Sequence, residues 1–377
     1  MKAIFWNTKL RIIPAFYLIL ITILFSGFNN QVNVDEKAGV LADHLQKWYN
    51  SETGLWETTS WWNGANALTA IIRFGQITDN VSLIKVVENT FVKTKQFKVP
   101  ATEKRDAWIC ANYINDYYDD EGWWALAWID AWEWTGNQEY LEMAQYIFKD
   151  ITTGWDESCG GGIFWKKGLG YKSTISNELT LLLAARLHLA DTDPVHNKSC
   201  LQWSLDIWNW MLSQKLINEN GLVQDGVGSR NGDCSINPRV WTYNQGVILA
   251  GLVYLNEITG NRKYLDHADK IALATIKNLV SDTGVLFEKG CEPDNCNADA
   301  EQFKGIFMRH LDLLNQYSPK KEYDGFIALN AHSIWENAMQ NGSAPPGVSW
   351  SSFSEKGNAA TVSSALDALN AVLESEK

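Results

Sequence analysis

The chain has 377 residues, of which 46% are hydrophobic, enough for a sizeable buried core in one large domain or two ordinary ones. Its formal net charge of -12 argues against the basic surface that neutralises phosphate groups. We find no cluster of Lys and Arg, and the sequence therefore predicts no nucleic-acid partner.

The first residues have the layout of a secretory signal peptide. Lys2, Lys9 and Arg11 precede an apolar run over 12–25, and small and polar residues follow it. We predict a signal peptide over 1–28; because no clear small-x-small cleavage site follows, an uncleaved anchor is the alternative. The apolar run is too short to span a bilayer comfortably. The protein is therefore expected outside the cell, or associated with a membrane through this segment.

Helical periodicity dominates the rest of the chain, and two kinds of helix alternate. One kind is amphipathic, and the other is apolar or rich in small residues on nearly every face. The amphipathic helices are predicted over 38–49, 82–95, 138–151, 199–213, 262–279 and 325–340. The apolar helices are predicted over 62–75, 122–135, 176–190, 241–256, 300–316 and 357–373. We expect about six helical hairpins in a single domain over 35–375.

The links between these helices also repeat. Short, turn-like links follow the apolar helices, whereas long links precede them and carry a glycine followed by apolar residues. These glycines recur about every sixty residues, with room for one divergent unit after the first, at Gly54, Gly162, Gly221, Gly284 and Gly347. A ring of hairpins with the apolar helices inside covers every apolar face. The fold prediction is therefore all-α, an (α/α)6 barrel whose long loops gather on one rim.

Three acidic residues, Asp119, Asp120 and Glu121, stand among aromatic residues where the apolar helix over 122–135 begins. Acidic residues in a first turn often cap a helix and complement its dipole, which alone would explain the run. Adjacent carboxyl groups can also repel each other, so that one pKa rises while helix amides keep the other low. Such a split suits a general acid and a nucleophile. Asp119 and Asp120 are therefore the candidate catalytic residues.

Other polar and aromatic residues fall in the long links and are expected around the same cleft. The candidate substrate-binding residues are Trp62, Asn63, Trp123, Asn177, Asp225, Tyr243, Asn244 and Lys304. The content of 19 Trp, 13 Tyr and 14 Phe favours rings stacked on sugar faces, although core packing explains half or more of them. Plainer alternatives stay open: a turn at Asp225, capping or core roles for Asn177 and Asn244, and a salt-bridged helix face for Lys304 and Arg309.

Six cysteines are an even number in a chain predicted to be exported, which favours disulfides. Cys291 and Cys296 enclose a short loop and are the favoured pair. Sequons at Asn80, Asn197 and Asn341 fit a glycosylated protein. We find no phosphate-binding loop, serine-nucleophile motif or zinc-binding helix, so neither a metal nor another cofactor is expected.

An ordered set of segments runs through the chain at 61–64, 119–120, 160–165, 176–179, 242–246 and 303–307. Through these segments the chain resembles the family 76 glycoside hydrolases, the α-1,6-mannanases, and looks most like their fungal members. The resemblance implies an (α/α)6 barrel and retaining hydrolysis of α-1,6-mannan, with Asp119 as nucleophile and Asp120 as acid/base. It also implies that Asp225 binds the sugar beside the scissile bond.

The leading hypothesis is therefore a retaining endo-α-1,6-mannosidase acting through a covalent mannosyl-enzyme intermediate. The expected partner is mannan polysaccharide or a mannoprotein glycan, and the protein is expected to be a monomer. A cell-wall transglycosylase acting on mannan-bearing glycolipid anchors needs the same two acids and is the first alternative. Fungal relatives of that kind carry a hydrophobic C-terminal anchor signal, which this sequence lacks. A catalytically inactive mannan-binding protein is the second alternative.

Overall fold

The computed structural model describes residues 33–99, 108–228, 233–293, 295–375 and 377. The segment predicted as a signal peptide, 1–28, lies outside the described residues. Val34–Lys377 forms one compact unit. Within the described residues, no helix combines the length and the apolar character needed to cross a bilayer.

Twelve α-helices run through the described part of the chain and alternate between an outer and an inner set. The outer helices are α1 (Val34–Gln46), α3 (Ile84–Thr94), α5 (Gln138–Ile151), α7 (Cys200–Ser213), α9 (Lys263–Asn278) and α11 (Lys321–Ser333). The inner helices are α2 (Trp61–Ile77), α4 (Tyr118–Thr135), α6 (Thr174–Leu189), α8 (Thr242–Thr259), α10 (Phe303–Tyr317) and α12 (Ala359–Ser375). Short 3-10 helices lie at Val81–Leu83, Thr152–Gly154, Ser158–Gly160 and Ala300–Gln302, and a π-helical turn at Ile334–Ala338.

The distribution of apolar residues decides which helices lie inside. α6 is buried at every position over 174–187, whereas α5 buries one stripe that includes Tyr140, Ala144 and Ile147. A helix that is apolar all round must be covered all round, while an amphipathic helix needs one partner face. The alternation of the two kinds therefore produces two concentric layers.

The inner helices close into a ring. Each packs against the next inner helix along the chain, and α12 packs against α2 to complete the circle. The outer helices cover this ring; α1, for example, packs on α12. The structure is an (α/α)6 barrel, and the predicted fold is confirmed.

Glycines allow the inner helices to approach closely. A Cβ atom on Gly246 of α8 would lie 2.6 Å from the Cα of Phe307 in α10. One on Gly305 of α10 would lie 2.4 Å from the Cα of Ser364 in α12. Both neighbours are backbone atoms, so no side-chain rotation can relieve the contact. The ring therefore requires glycine at these two seams.

Two short links share one structure. α4 ends at Gly136 and α8 at Gly260, with φ of 70° and 66°, a region in which other residues are strained. Asn137 and Asn261 come next, and each side chain accepts the backbone N–H two residues further on. One helix thus stops and the next begins within three residues.

The sequence did not predict strands, yet seven short ones occur in the described residues: β1 (Tyr49–Asn50), β2 (Leu55–Trp56), β3 (Gln96–Val99), β4 (Trp108–Ala111), β5 (Lys172–Ser173), β6 (Gly226–Val227) and β7 (Ile236–Asn237). All pair antiparallel: β1 with β2, β3 with β4, and, in a three-stranded sheet, β6 with both β5 and β7. This three-stranded sheet joins the link before α6 to the link before α8.

Two disulfides are present. The predicted bond between Cys291 and Cys296 is confirmed. A second joins Cys159, after α5, to Cys234, just before β7. Cys110 and Cys200 are buried and unpaired, so the even number of cysteines does not reflect complete pairing.

Candidate active site

A cavity of about 820 Å³ opens on the rim where the inner helices begin, a volume typical of small-molecule clefts. Six of the predicted site residues line it: Trp62, Asp119, Asp120, Trp123, Asp225 and Tyr243. They come from the first turns of α2, α4 and α8 and from the long link before α8. The long links thus gather chemically active residues on one rim.

Asp119 is half-buried in the cavity wall, and its Oδ2 accepts a hydrogen bond from the indole N–H of Trp165 at 2.9 Å. Backbone hydrogen bonds fix Trp165, since its N–H donates to Tyr171 and its carbonyl accepts from Tyr118. Burial raises the pKa of Asp119 to about 7. Trp165 and the backbone N–H groups of residues 119 and 120 oppose that rise, and the charge of Asp299 adds to it.

Asp120 lies in a different environment, although it is the next residue. Its Oδ2 accepts a hydrogen bond from the side-chain amide of Asn115 at 2.7 Å. Burial, and then the charge of Asp119, raise the pKa of Asp120 well above the ordinary range. Ionisation of Asp119 therefore disfavours ionisation of Asp120, and the two acids titrate as a pair. Asp119 has more donors for its charged form, which favours Asp120 as the protonated member.

Glu121, the third acid of the run, does not line the cavity. It is fully buried, and its Oε1 accepts from the backbone N–H of Asn115 and from the ammonium of Lys167, both at 3.0 Å. Burial raises the pKa of Glu121 to about 9, although Lys167 opposes the rise. Glu121 therefore fixes the segment that leads into α4.

Asp225 is held by the three-stranded sheet. Its Oδ2 accepts from the hydroxyl of Tyr171, just before β5, at 2.6 Å and from the amide of Asn237, in β7, at 2.8 Å. Burial raises the pKa of Asp225, while Tyr171 and the nearby charge of Arg239 lower it. The side chain is thus oriented by neighbours from two separate links, which a simple turn role would not require.

Aromatic rings form a surface inside the cavity. Trp62 stacks on Trp123 with ring centroids 5.8 Å apart, and Tyr243 stacks on Phe303 at 3.9 Å. Trp62 also contacts Phe303 at 6.4 Å, which connects the two stacks. Flat rings beside carboxylates match a sugar, which has apolar C–H faces and a polar edge of hydroxyls.

Three predicted substrate-binding amides lie behind the cavity wall. Asn63, Asn177 and Asn244 are fully buried and do not line the cavity. Asn177 bonds both the N–H and the carbonyl of Ile163, and Asn63 donates to Gln302 at 2.7 Å. These two amides hold long links against the inner helices, which for Asn177 is the core role that the sequence analysis left open.

Lys304 also lies outside the cavity lining. It forms an ion pair with Glu292 at 2.6 Å, and both side chains are 1% exposed. Arg309 lies 3.5 Å from Asp367, again in the interior. Lys304 and Arg309 are therefore both paired with acids, as the salt-bridge alternative predicted. Both pairs are buried, however, so they do not form a solvent-exposed helix face.

Sequence reasoning missed Asp299 and Tyr171, which both line the cavity. The Oδ1 of Asp299 accepts from the indole N–H of Trp62 at 2.9 Å. A signal was available, because Asp299 lies in a long link of the class that carries the other site residues, between Cys296 and Phe303. Its partner in α2 is far away in sequence, and only the closed ring brings the two together.

The cavity chemistry is that of carboxylates and aromatic rings. In the part of the chain that the structure describes, no group of three or more His, Cys, Asp or Glu is arranged to hold a metal ion. The acids of the cavity are bound by side-chain donors, namely Trp165, Asn115, Tyr171, Asn237 and Trp62.

A family model identifies the family of this chain. The model of glycosyl hydrolase family 76 matches residues 33–376. The chain belongs to glycosyl hydrolase family 76. Family 76 membership makes it a glycoside hydrolase, as the sequence resemblance predicted.

Known proteins agree with the family 76 assignment. Mannan endo-1,6-alpha-mannosidase DCW1 of Candida albicans is 29% identical over 340 residues, which cover 81% of this chain and 73% of the relative. The Lin0763 protein of Listeria innocua has 26% identity and a TM-score of 0.78, covering 92% of this chain and 98% of its own.

A third similar structure contains a bound sugar. It is an inactive variant of the α-1,6-mannanase GH76A of Salegentibacter sp. HEL1_6, with two adjacent aspartates changed to alanine, in complex with α-1,6-mannotetrose. Its identity is 23% and its TM-score 0.77, and the match covers 91% of this chain and 99% of that one. At this identity the likeness shows that the two proteins share the fold.

Proposed function

We propose that this family 76 protein is an endo-α-1,6-mannosidase that hydrolyses mannan with retention of configuration. The observation that carries the proposal is the pair Asp119 and Asp120, adjacent acids in one cavity with different hydrogen-bond donors. The relatives support the substrate: one is named a mannan endo-1,6-alpha-mannosidase. Another is an α-1,6-mannanase whose variant lacking two adjacent aspartates is inactive.

In this proposal Asp119 is the nucleophile. Its ionised form is stabilised by the indole N–H of Trp165 and by backbone N–H groups at the start of α4. The carboxylate attacks the anomeric carbon while the bond from that carbon to the leaving oxygen breaks. The product of this step is a mannosyl ester on Asp119.

Asp120 handles the proton in both steps. Its raised pKa keeps it protonated, so it can donate to the leaving oxygen. Once Asp119 is an ester, the neighbouring negative charge that raised the pKa of Asp120 is gone. Asp120 can then accept a proton from the water that attacks the ester, and Asp119 is released as a carboxylate. The same residue thus acts first as acid and then as base.

The geometry supports retention over inversion. Retaining glycosidases hold their carboxyl groups about 5–5.5 Å apart, and inverting ones roughly 6.5–9.5 Å apart to admit a water. Adjacent residues have Cα atoms about 3.8 Å apart, which favours the shorter separation. A pure capping role has less support, because the N-cap residue of α4 is Tyr117 and the acids lie inside the first turn.

The test is digestion of linear α-1,6-mannan, followed by NMR of the first reducing ends formed. We expect internal cleavage, seen as a rapid fall in polymer size, and α-mannose at the new ends. β-Mannose appearing before mutarotation would exclude the covalent intermediate and the assigned roles.

The two alternative functions predict other products. A transglycosylase would yield oligosaccharides longer than the starting material when an acceptor mannan is added. A binding protein would bind the polymer and yield no fragments. The double variant Asp119→Asn/Asp120→Asn is the control, since it keeps the cavity shape and removes both ionisable groups.

We also propose that the protein acts outside the cell or in the cell wall, as a monomer. The signal-like sequence over 1–28 supports export, and mannan, the substrate named for the fungal relative, supports a wall location. Fractionation of the source cells and light scattering of the purified protein test these two points.

A further inference from the structure

We propose that Asp299 positions the indole of Trp62 and that the two residues form a mannosyl-binding subsite in the cavity that also holds the acid pair. The inference rests on the proposed function, which supplies the sugar. Asp299 neither attacks nor protonates the sugar; it acts through Trp62 and through hydroxyl groups of the bound sugar, and its charge also raises the pKa of Asp119.

The geometry of the pair carries the proposal. Asp299 is exposed to the cavity, and its Oδ1 accepts from the Trp62 indole N–H at 2.9 Å. Trp62 is half-buried and stacks on Trp123, so one part of the ring is supported and another part faces the cavity. The hydrogen bond fixes the rotation of the indole, which presents a rigid flat surface to a ligand.

The loop that carries Asp299 is itself anchored. The disulfide between Cys291 and Cys296 closes a short ring just before it. Glu292, inside that ring, forms the buried ion pair with Lys304 at the start of α10. Asp299 therefore projects from a backbone that is tied both to itself and to an inner helix.

Asp299 retains hydrogen-bonding capacity for a ligand. Its Oδ2 contacts the Asn297 amide at 3.5 Å, which is long for a hydrogen bond. A carboxylate oxygen has two acceptor sites, and hydroxyl donors form short, strong bonds to it. When the C–H face of a hexose stacks on the Trp62 ring, the hydroxyl groups of the hexose point outward from the edge of the sugar. The Asp299 carboxylate lies beside the indole and can accept hydrogen bonds from these hydroxyl groups.

Three substitutions separate the two roles of Asp299. Asp299→Asn keeps an oxygen that can accept from Trp62 but removes the charge, and Asp299→Ala removes both. Trp62→Phe keeps an aromatic ring but removes the N–H donor. Asp282→Ala is the matched control, because Asp282 is an exposed acid of the same link outside the cavity lining.

We expect Asp299→Ala to raise KM for linear α-1,6-linked mannose oligosaccharides about tenfold or more. Its kcat, measured at the pH optimum of each variant because the charge of Asp299 also raises the pKa of Asp119, should change less than about twofold. The KM of Asp299→Asn should lie between those of Asp299→Ala and wild type. In the Trp62→Phe background, Asp299→Ala should have a smaller effect than alone, because the shared hydrogen bond is already lost. The control variant should match wild type, and all variants should unfold at similar temperatures.

A loss in kcat at unchanged KM, or full additivity with Trp62→Phe, would overturn the inference. Binding of α-1,6-mannotetraose to the double variant Asp119→Asn/Asp120→Asn, with and without Asp299→Ala, provides a readout independent of cleavage. If wild type does not cleave mannan, the proposed function fails, and this binding experiment still decides whether a mannosyl subsite exists. If wild type cleaves mannan and Asp299→Ala binds normally, only the subsite fails.

Discussion

Asp119 and Asp120 show how neighbours in one helix acquire different properties. Asp119 receives its hydrogen bond from Trp165, in the link before α6, and Asp120 receives its own from Asn115, just before α4. Backbone N–H groups of residues 119 and 120 add to the donors of Asp119, whereas Asp120 has Asn115, so the two carboxyl groups differ in their tendency to ionise. The chemistry of the pair therefore depends on a distant link as much as on the pair itself.

Replacing either acid should remove most of the activity. Asp119→Asn and Asp120→Asn are each expected to lower kcat on mannan at least about a thousandfold, because each loses a charge or a proton that the reaction needs. With a substrate whose leaving group needs no protonation, Asp120→Asn should still form the mannosyl ester, detectable by mass spectrometry. Full activity in Asp119→Asn would return this residue to a structural role.

The pH dependence of kcat/KM should be bell-shaped. The proposed mechanism requires Asp119 ionised and Asp120 protonated, so activity should rise as pH passes the pKa of Asp119 and fall as Asp120 loses its proton. Burial raises the pKa of Asp119 to about 7, which places the acidic limb well above the usual range of an aspartate. An acidic limb near pH 4, about the pKa of a free aspartate, would contradict this environment.

Glu178 should destabilise the fold at neutral pH. It is fully buried in α6, neither carboxyl oxygen has a hydrogen-bond partner among the described residues, and burial raises its pKa well above the ordinary value. The folded state therefore holds a proton that the unfolded chain releases, and stability falls as pH rises above the unfolded pKa.

Glu178→Gln removes this proton linkage. The variant should gain at least about 1 kcal/mol in unfolding free energy at pH 7 relative to wild type, and the gain should vanish near pH 4, where both states are protonated. Urea titrations at the two pH values provide the measurement. An equal difference at both pH values would mean that the carboxyl group is not protonated by burial.

At the scale of structural elements, two disulfides hold the links on the cavity rim in place. The disulfide Cys159–Cys234 spans 75 residues, and Cys291–Cys296 spans 5. In the chain-entropy account, the long closure restricts the unfolded chain more, so the losses on removal are about 4 and about 2 kcal/mol.

Unfolding of the two double Cys→Ser variants in urea tests that order. Cys159→Ser/Cys234→Ser should lose more stability, whereas Cys291→Ser/Cys296→Ser should mainly raise KM, because its loop carries Asp299. The reverse order in stability would show that native-state packing, rather than loop closure, sets the contribution of these bonds.

Helices were predictable because their signals are local. α8 was expected over 241–256 and is found at Thr242–Thr259, ended by Gly260. α4 begins four residues earlier than predicted, because the acids first assigned to a cap belong to its first turn. The strands were not predictable, since they contain two to four residues each and their pairing depends on contacts between distant links.

Part of the candidate site was also predictable, because the signals that mark a long link are local in the sequence. The position of a residue in a long link placed Asp119, Asp225 and Trp62 on the correct rim. It did not reveal that Lys304 turns inward to Glu292, because that depends on a loop folding back over α10. Whether a polar residue in such a link faces the cavity or the core is decided by tertiary contacts.

For the whole molecule, the ring requires its helices to meet at particular distances. Gly305→Ala adds a methyl group where the backbone of α12 lies 2.4 Å away, so the helices must separate. We expect a loss of about 3 kcal/mol in unfolding free energy. Gly325→Ala is the matched control, because this exposed helical glycine has nothing within 4 Å and should gain about 0.5–1 kcal/mol.

Thermal and urea unfolding of these two variants measures both effects. We expect Gly305→Ala to lower the unfolding free energy and Gly325→Ala to raise it. Both substitutions add one methyl group, but the first adds it against a neighbouring helix and the second adds it on an exposed helix surface. Equal changes would show that helix propensity, and not the seam between α10 and α12, controls the result.

Closure of the ring by α12 has a consequence for biosynthesis. A nascent chain that lacks α12 leaves the inner faces of α2 and α10 uncovered, because this last helix packs against both. At about 5–20 residues per second, synthesis of the chain takes roughly 20–75 s, and the barrel stays open throughout that time. The ring therefore closes only after α12 has emerged from the ribosome, and chaperones that recognise apolar surface have an exposed seam to bind until then.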